Sequence, residues 1–297
     1  MGVRYKYRNR RNFKNSLNER KALPAAGRQK YYQYRYDKNL CGQLFALILS
    51  AFEKRDCRSP QTDLVADYAQ KKVYDTEEAL SELMKYDVIS FDVFDTLIFR
   101  KVRKPTDIFL RMEKELHIPG FAEKRIYAEQ CARSDCYIRK KTREISIEDI
   151  YRQMFCRQKA NRQFFHGQAG VPGRMIRKMI KQEMEKELQY CYANPVMKKM
   201  IRSLAENHKI IIAVSDMYLH REQIRQILRK NGYEQIEKIY VSADYGVGKS
   251  DGRLFPFIIN EWDPGRLIHI GDHFFSDIYR QKHLKMKTLH YLRNDFG

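Results

Sequence analysis

Short apolar runs separated by helical patterns fill the second half of the chain. Five runs have the length of buried strands, and they lie at residues 88–91, 210–214, 236–241, 267–270 and 288–292. Amphipathic patterns between them predict helices at residues 196–206, 221–230, 254–262 and 276–282. Strands that alternate with helices in this way are typical of a parallel sheet with helices on both faces. The pattern therefore predicts an α/β fold with a doubly wound parallel sheet.

Residues 100–207 separate the first predicted strand from the second and have a different pattern. Their apolar positions recur at helical spacing, which predicts helices at residues 107–116, 122–137, 147–156 and 174–190. The chain therefore divides into four parts, which we expect to be a basic arm at 1–38, a helical segment at 39–85, a sheet-forming core at 86–99 and 208–297, and an inserted helical domain at 100–207.

Polar residues follow the predicted strands or the loops beyond them. They are the segment 92–96 (Asp-Val-Phe-Asp-Thr), Ser215 with Asp216, Lys249, and Asp272 with Asp277. In an open parallel sheet, ligands bind beyond the carboxyl ends of the strands, so these side chains are expected to share one site. A carboxylate nucleophile, small hydroxyl groups and a lysine ammonium are the groups that phosphoryl transfer requires. Carboxylate oxygens are also the ligands that Mg²⁺ prefers.

The excess of positive charge is concentrated in two parts of the chain. The whole chain has 57 Lys and Arg against 37 Asp and Glu, a net charge of +20. The arm at 1–38 contributes +10 and the insertion at 100–207 contributes +12, whereas the sheet-forming part is neutral. This unevenness indicates an anionic partner, such as a phosphorylated substrate, an acidic glycan, an anionic lipid or nucleic acid, unless the basic surface serves only solubility.

Other features of the composition bear on location and partners. Basic residues alternate with tyrosines at 1–38, which suits nucleic acid or a lipid surface, although we favour a poorly ordered tail. Six cysteines form no CxxC pair and no Cys/His zinc spacing, which favours reduced side chains and a cytoplasmic location. No apolar run reaches the roughly 18–20 residues of a membrane-spanning helix, so no transmembrane segment is predicted.

The four motifs, taken together and in this order, resemble those of the haloacid dehalogenase-like (HAD) hydrolase superfamily, over roughly residues 87–292. The resemblance implies a Rossmann-like core, a helical cap at 100–207, and a Mg²⁺-dependent phosphatase or phosphotransferase activity. It implies that Asp92 is the nucleophile, that Thr96 and Ser215 hold the phosphoryl group, and that Lys249 neutralises its charge. The implied metal ligands are Asp92, Asp272, Asp277 and the backbone carbonyl of Phe94, with Asp277 supporting either the metal or Lys249.

One position departs from the family pattern. Phosphatases of this family usually carry a second aspartate two residues after the nucleophile, where it protonates the leaving group, and here that position is Phe94. A phenyl ring transfers no proton, so we expect a slow phosphatase, a phosphotransferase, or a protein that binds a phosphorylated ligand without turnover. Asp95 would substitute if the loop were turned differently; otherwise it is a turn residue that bonds nearby backbone. Dehalogenation ranks low, because the metal-holding Asp272 is present.

We therefore predict a Mg²⁺-dependent HAD-type hydrolase that forms an aspartyl-phosphate on Asp92, with a phosphorylated small molecule or sugar as substrate. The alternative is a catalytically weak module that binds a phospho-ligand in surface-polysaccharide assembly. The variants at 92–97, 215–219 and 248–252 resemble a bacterial subgroup associated with glycosyltransferases of polysaccharide synthesis, which implies a glycosyltransferase partner. Binding of nucleic acid by the arm is a third hypothesis.

Overall fold

The computed structural model describes residues 76–156 and 172–291. The predicted arm at 1–38 lies outside these ranges, as do residues 39–75 of the predicted helical segment at 39–85. The rest of that segment contains helix α1, Thr76–Leu83. No helix within the described ranges is long and apolar enough to cross a membrane.

Five parallel strands form the central sheet, in the order β5-β4-β1-β6-β7. The strands are β1 (Val88–Asp92), β4 (Ile210–Ser215), β5 (Ile236–Val241), β6 (Leu267–Gly271) and β7 (Lys287–His290). All five residues of β1 are buried, because Val88 packs into one hydrophobic cluster while Ile89 and Phe91 pack into another. A strand buried on both faces is typical of a parallel sheet covered by helices on each side. The predicted α/β fold with a doubly wound parallel sheet is confirmed.

A pair of three-residue strands joins the two ends of the inserted helices. β2 (Ile98–Arg100) pairs antiparallel with β3 (Cys191–Ala193), so the start and the end of the insertion lie side by side. We define the helical insertion as residues 101–190, and its described helices are α2 (Asp107–Leu116), α3 (Phe121–Lys140), α4 (Ile147–Cys156) and α5 (Pro172–Tyr190). The sequence predicts these four helices closely but not the two strands, because three residues are too few to show a period.

The helical insertion packs around a buried arginine. Arg125 of α3 is fully buried and donates two hydrogen bonds to Glu183 of α5, at 2.9 and 2.7 Å. The hydroxyl of Tyr151 in α4 donates to the same carboxylate at 2.6 Å, and Glu129 accepts from both Arg125 and Arg133. These contacts tie α3, α4 and α5 together through charge as well as through apolar packing.

The helices that follow the insertion differ from the predicted pattern in three places, one of which is an additional helix at 242–245. These helices are α6 (Pro195–Glu206), α7 (Arg221–Lys230), α8 (Ser242–Tyr245) and α9 (Phe255–Ile259). The predicted helix at 254–262 is thus shortened to α9, and the predicted helix at 276–282 is replaced by a π-helix, Phe274–Ile278, and a 3₁₀ helix, Tyr279–Leu284. The π-helix turns Asp277 inward, where its carboxylate accepts a hydrogen bond from the amide of His273 at 3.0 Å.

Candidate active site

The strand order places three of the sequence motifs next to one another. β1 pairs with β4 on one side and with β6 on the other, and Asp92 lies opposite Val214. Ser215, which is buried, lies one residue beyond Val214, and Asp272 directly follows Gly271 at the end of β6. The carboxyl ends of three neighbouring strands therefore bring these polar residues to one edge of the sheet.

Lys249 forms the central ion pairs of this edge. Its ammonium contacts Oδ1 of Asp92 and lies 2.6 Å from Oδ1 of Asp277. All three side chains are buried, and Asp92 is 6% exposed. Although burial acts in the opposite direction, Asp277 and Asp92 raise the pKa of Lys249, so its ammonium stays charged.

Three carboxylates converge on the same point. Asp92, Asp272 and Asp277 each place one oxygen within 4.8 Å of the others. Lys249 is the cation that pairs with them in the described part of the chain, so the cluster has more negative than positive charge. A divalent cation would remove this excess, and three hard oxygen ligands suit Mg²⁺. The residues present therefore fit the predicted metal.

The pKa shifts in the cluster reflect this imbalance. Burial raises the pKa of Asp92 to about 8; Lys249 opposes the shift, while Asp277 and Asp272 add to it. Burial likewise raises the pKa of Asp272, and Asp277 and Asp95 act in the same direction. Asp277 behaves differently, because Lys249 holds the pKa of this carboxyl well below its usual range in spite of its burial. Without a further cation, burial therefore favours the protonated form of Asp92 by raising its pKa.

Thr96 and Asn194 support the loop that follows β1. The hydroxyl of Thr96 donates to Oδ1 of Asp272 at 3.3 Å, and its backbone carbonyl accepts from Nδ2 of Asn194 at 2.8 Å. The side-chain oxygen of Asn194 also accepts from the amide of Val196 at 3.1 Å and so caps α6. Thr96 thus lies beside the carboxylate cluster and orients Asp272, whereas its contact with a phosphoryl group stays a prediction.

A close approach at Gly271 and a buried histidine position Asp277. A β-carbon at Gly271 would lie 2.5 Å from Cγ of Asp277, so a larger residue here would displace the carboxylate. His269 is fully buried on β6, with Nδ1 2.8 Å from the hydroxyl of Ser90 and Nε2 3.4 Å from Oδ1 of Asp277. Burial lowers the pKa of His269, which favours the neutral ring. Sequence analysis does not identify His269 as a residue of the site. The alternation of side chains along a strand shows that His269 and residue 271 share a face, but it does not show which side chains His269 contacts.

Asp216 holds the loop that presents Lys249. Its carboxylate accepts hydrogen bonds from the amides of Lys249 at 2.7 Å and Ser250 at 3.0 Å. Gly248 is packed tightly here, since an added β-carbon would lie 3.0 Å from Oδ2 of Asp216 and 2.8 Å from Oε1 of Glu144. This positioning role is invisible in the sequence, because the pairing of β4 with β5 is what brings the two segments together.

Phe94 and Asp95 lie beside the carboxylate cluster, in the loop after Asp92. The ring of Phe94 is half-buried, and the guanidinium of Arg100 lies 4.0 Å from its centroid. Asp95 has a left-handed backbone with φ of 62°, and its carboxylate is close enough to Asp272 to contribute to the raised pKa there. The Phe94 carbonyl as a metal ligand and Asp95 as a proton donor stay predictions.

Three solved structures are similar to this chain at low sequence identity. No protein-family model matches the chain, and no curated protein matches it. A dehalogenase solved with an intermediate complex is 12% identical, with the match covering 72% of this chain and 88% of that one at a TM-score of 0.46. A HAD family enzyme from Bacteroides thetaiotaomicron, solved as an aspartate-to-alanine mutant with magnesium and inorganic phosphate, is 14% identical, with 71% and 97% covered at a TM-score of 0.44.

A third solved structure is the HAD hydrolase YfnB from Bacillus subtilis, bound to magnesium. It is 16% identical, and the match covers 69% of this chain and 86% of that one at a TM-score of 0.45. At these identities and TM-scores, the likeness assigns neither a family nor an activity to this chain. The functional conclusion therefore depends on the residues of the site.

Proposed function

We propose that the protein is a Mg²⁺-dependent phosphohydrolase or phosphotransferase of the HAD type, with Asp92 as its nucleophile. The observation that carries this proposal is the buried Lys249 ammonium, held between Asp92 and Asp277, with Asp272 completing three convergent carboxylates. A nucleophile, a fixed positive charge and a set of hard oxygen ligands thus occupy one edge of the sheet. Such an arrangement matches the needs of phosphoryl transfer, where charge must be stabilised around a transferring group.

The proposed reaction has two displacements at phosphorus. A carboxylate oxygen of Asp92 attacks the phosphorus, and the bond between phosphorus and the leaving oxygen breaks with its electron pair going to that oxygen. Water, or the hydroxyl of an acceptor, then attacks the phosphorus of the aspartyl-phosphate and loses its proton to solvent. The bond between phosphorus and the Asp92 oxygen breaks, and its electron pair restores the carboxylate. Lys249 neutralises charge on the nucleophile and on the transferring group, and Ser215 lies close enough along the strand ends to offer a hydroxyl.

The ionisation of Asp92 links the nucleophile to the metal. Attack requires the carboxylate form, yet burial raises the pKa of Asp92 to about 8 when Lys249 is its cationic neighbour. A Mg²⁺ ion held by Asp92, Asp272 and Asp277 would supply positive charge to the phosphoryl oxygens and favour the ionised nucleophile. The residues of the site would therefore themselves explain why the reaction requires Mg²⁺.

The first test compares release of phosphate from an aryl phosphate by the wild type and by Asp92→Asn, with Mg²⁺ and with EDTA. An aryl leaving group needs little protonation, so the absence of an acid at Phe94 should matter least in this assay. Turnover that requires Mg²⁺ and is lost in Asp92→Asn is the expected result. Mass spectrometry of the rapidly quenched wild type should also show one added phosphoryl group. No turnover in folded, metal-bound protein would overturn the proposal.

The second test asks what replaces the missing acid. With Phe94 at that position, rates should fall steeply from aryl to alkyl phosphates, because the alkoxide leaves without a proton. If Asp95 donates the proton instead, the wild type will show a shallow dependence and Asp95→Asn will make it steep. A steep dependence that Asp95→Asn leaves unchanged would remove Asp95 from the mechanism.

A second candidate function is favoured by the surroundings of Phe94. Its ring packs under the guanidinium of Arg100, whose Nε and Nη2 donate to Glu187 at 3.0 and 3.1 Å, so the position has a structural role in place of a catalytic one. A module that binds a phosphorylated ligand with little turnover fits this observation. For the first candidate, the phosphohydrolase or phosphotransferase, we also propose a phosphorylated small molecule or sugar as the substrate. For either candidate we propose a glycosyltransferase partner and a cytoplasmic location. The resemblance of the motifs, the charge distribution and the cysteine pattern support these proposals.

A further inference from the structure

A groove of about 410 Å³ lies on the solvent side of the helical insertion. It is formed by the turn that follows β2 and by one face of α2, where Asp107, Leu110, Arg111 and Lys114 recur at helical spacing. The opposite face of α2 is buried in the hydrophobic core through Ile108, Phe109 and Met112. The groove is therefore built on a helix that is firmly anchored from behind.

Four cations surround this groove without a matching set of carboxylates. Lys101, Arg103, Arg111 and Lys114 line it, all four are exposed, and none forms an ion pair with a carboxylate in the described ranges. The groove has one acidic lining residue, Asp107, and its carboxylate accepts a hydrogen bond from the amide of Lys104 at 3.0 Å.

Three cations in or beside the insertion have carboxylate partners. Arg100 pairs with Glu187, Arg125 pairs with Glu183, and Lys186 contacts Glu115. Four like charges around a small cavity repel one another, and an anion that they share would relieve this repulsion. The clustering of four positive charges around one cavity thus points to a negatively charged ligand.

Two tyrosine rings contact cations of the groove, and two apolar side chains line it. The guanidinium of Arg111 and the ammonium of Lys101 each lie 5.8 Å from a ring centroid, of Tyr190 and Tyr192 respectively. These contacts restrict the two cations before any ligand arrives. Val102 and Leu110 line the same cavity, and Leu110 is 48% exposed. The groove therefore offers charge and an apolar surface together.

We infer that this groove is a second anion site, which binds the diphosphate group of a small organic molecule. Two adjacent phosphoryl groups would face the four cations, with arginine able to form paired hydrogen bonds to phosphate and lysine acting as a point charge. The uncharged remainder of the ligand lies over Val102 and Leu110, and the cavity is within the size range of small-molecule sites. The inference does not depend on the proposed catalytic function, because it uses none of the residues at the ends of the strands.

The test measures binding of inorganic pyrophosphate and of adenosine diphosphate by calorimetry, in EDTA, with the full chain carrying Asp92→Asn to prevent turnover. The groove variant adds Lys101→Gln, Arg103→Gln, Arg111→Gln and Lys114→Gln. The matched control instead adds Lys199→Gln, Arg202→Gln, Arg229→Gln and Lys230→Gln, which removes two lysines and two arginines from exposed positions on α6 and α7. Both variants lose the same charge, so a difference between them reports the groove.

We expect the groove variant to bind both probes at least tenfold more weakly than the parent, and the control variant to bind them within about twofold. Adenosine diphosphate should bind more tightly than pyrophosphate, because only the former covers the apolar side chains. Equal weakening in the two variants, or no binding to the parent, would overturn the inference. Tighter binding of a single-stranded RNA, lost in the same groove variant, would also overturn it in favour of a long polyanion.

These measurements are separable from those on the catalytic site. The four groove substitutions placed in the wild-type background should leave turnover of an aryl phosphate unchanged, whether or not the groove binds diphosphate. Failure of the proposed catalytic function would appear as absent turnover in both backgrounds, while calorimetry would still decide the groove.

Discussion

Two buried clusters of charged side chains, one at the edge of the sheet and one in the helical insertion, differ in their balance of charge. At the sheet edge, Asp92, Asp272 and Asp277 surround a single cation, Lys249. The cluster in the insertion, centred on Arg125, has two cations and two carboxylates that bond to one another. Burial alone therefore does not distinguish a site from a structural element, whereas an unbalanced buried charge does.

The two clusters also differ in what surrounds them. The guanidinium of Arg125 is enclosed by rings, with Phe109 at 4.4 Å, Tyr218 at 4.8 Å and Tyr151 at 5.4 Å from its Cζ. No ligand could approach it without displacing these side chains. The carboxylates at the sheet edge lie where parallel strands end, which is where such folds leave room for ligands.

Removing one charge from the balanced cluster should cause the largest loss of stability. Glu183→Gln leaves Arg125 buried with only Glu129 as a carboxylate partner, so the free energy of unfolding should fall by about 3 kcal/mol or more. Urea denaturation of the variant and the wild type measures this difference. Removal of both charges, in Arg125→Met with Glu183→Leu, should restore most of the lost stability. A loss below about 1 kcal/mol in Glu183→Gln would show that the cluster is not the anchor described here.

Binding of a cation to the cluster at the sheet edge, which has an excess of negative charge, should increase the free energy of unfolding. Mg²⁺ bound by Asp92, Asp272 and Asp277 should stabilise the fold by about 2.7 kcal/mol at a hundredfold excess over its dissociation constant. Thermal unfolding with Mg²⁺ and with EDTA checks this, and Asp272→Asn should abolish most of the shift while Glu183→Gln keeps it. Binding at pH 7 should also release protons into a weakly buffered solution, because burial raises the pKa of Asp92 to about 8. An uptake of protons would contradict the described ionisation.

The sequence predicts more of the sheet-edge cluster than of the cluster in the insertion, for a physical reason. Strands of a parallel sheet end at a common edge, so Asp92, Ser215 and Asp272 are expected to be neighbours from the strand pattern alone. The structure brings these residues together, and the fold class is confirmed. In the insertion, the helices are predicted, but the partners of Arg125 depend on how four helices pack, and periodicity carries no information on that.

Side chains that act through other residues are also missed by the sequence. Asp216 bonds to the Lys249 loop, and His269 lies behind Asp277. Each role depends on a register between strands, so a single strand does not show it. The groove on α2 is missed for a related reason, because sequence shows that residues 101–114 are basic but not that they surround one cavity.

Removing a charge from the unbalanced cluster should stabilise the protein when no metal is present. Because the folded pKa of Asp92 is raised to about 8, its contribution to stability is present below pH 4 and is lost as the pH rises towards 8. The amide in Asp92→Asn does not titrate. The free energy of unfolding of this variant should therefore exceed that of the wild type by an amount that grows across this pH range to at least about 1 kcal/mol. Urea denaturation in EDTA at pH 5 and pH 8 measures the difference. The surface substitution Asp263→Asn is the control and should show no such trend.

A third cluster, centred on His220, is more exposed than the first two and should give the smallest effect. Its Nε2 is 2.8 Å from Glu148 of α4 and its Nδ1 is 2.6 Å from Asp244 of α8, so it joins the helical insertion to the sheet-forming part. An imidazolium donates to both carboxylates at once, whereas a neutral ring has only one donor. Burial acts to lower the pKa of His220, but Asp244 and Glu148 outweigh it and raise the pKa.

The sign of the pH effect follows from this raised pKa. A histidine with a raised folded pKa stabilises the protein below its unfolded value, about 6.5, and the stabilisation is lost as the pH rises through the folded value. The side chain is 39% exposed, so His220→Gln should cost only about 0.5 kcal/mol at pH 6 and less at pH 9. Unfolding free energies of the two proteins at both values measure this. A loss of unfolding free energy that does not change with pH would mean that the ring of His220 contributes packing alone. It would also mean that an unbalanced cluster of charges must be buried before it affects the stability of the fold.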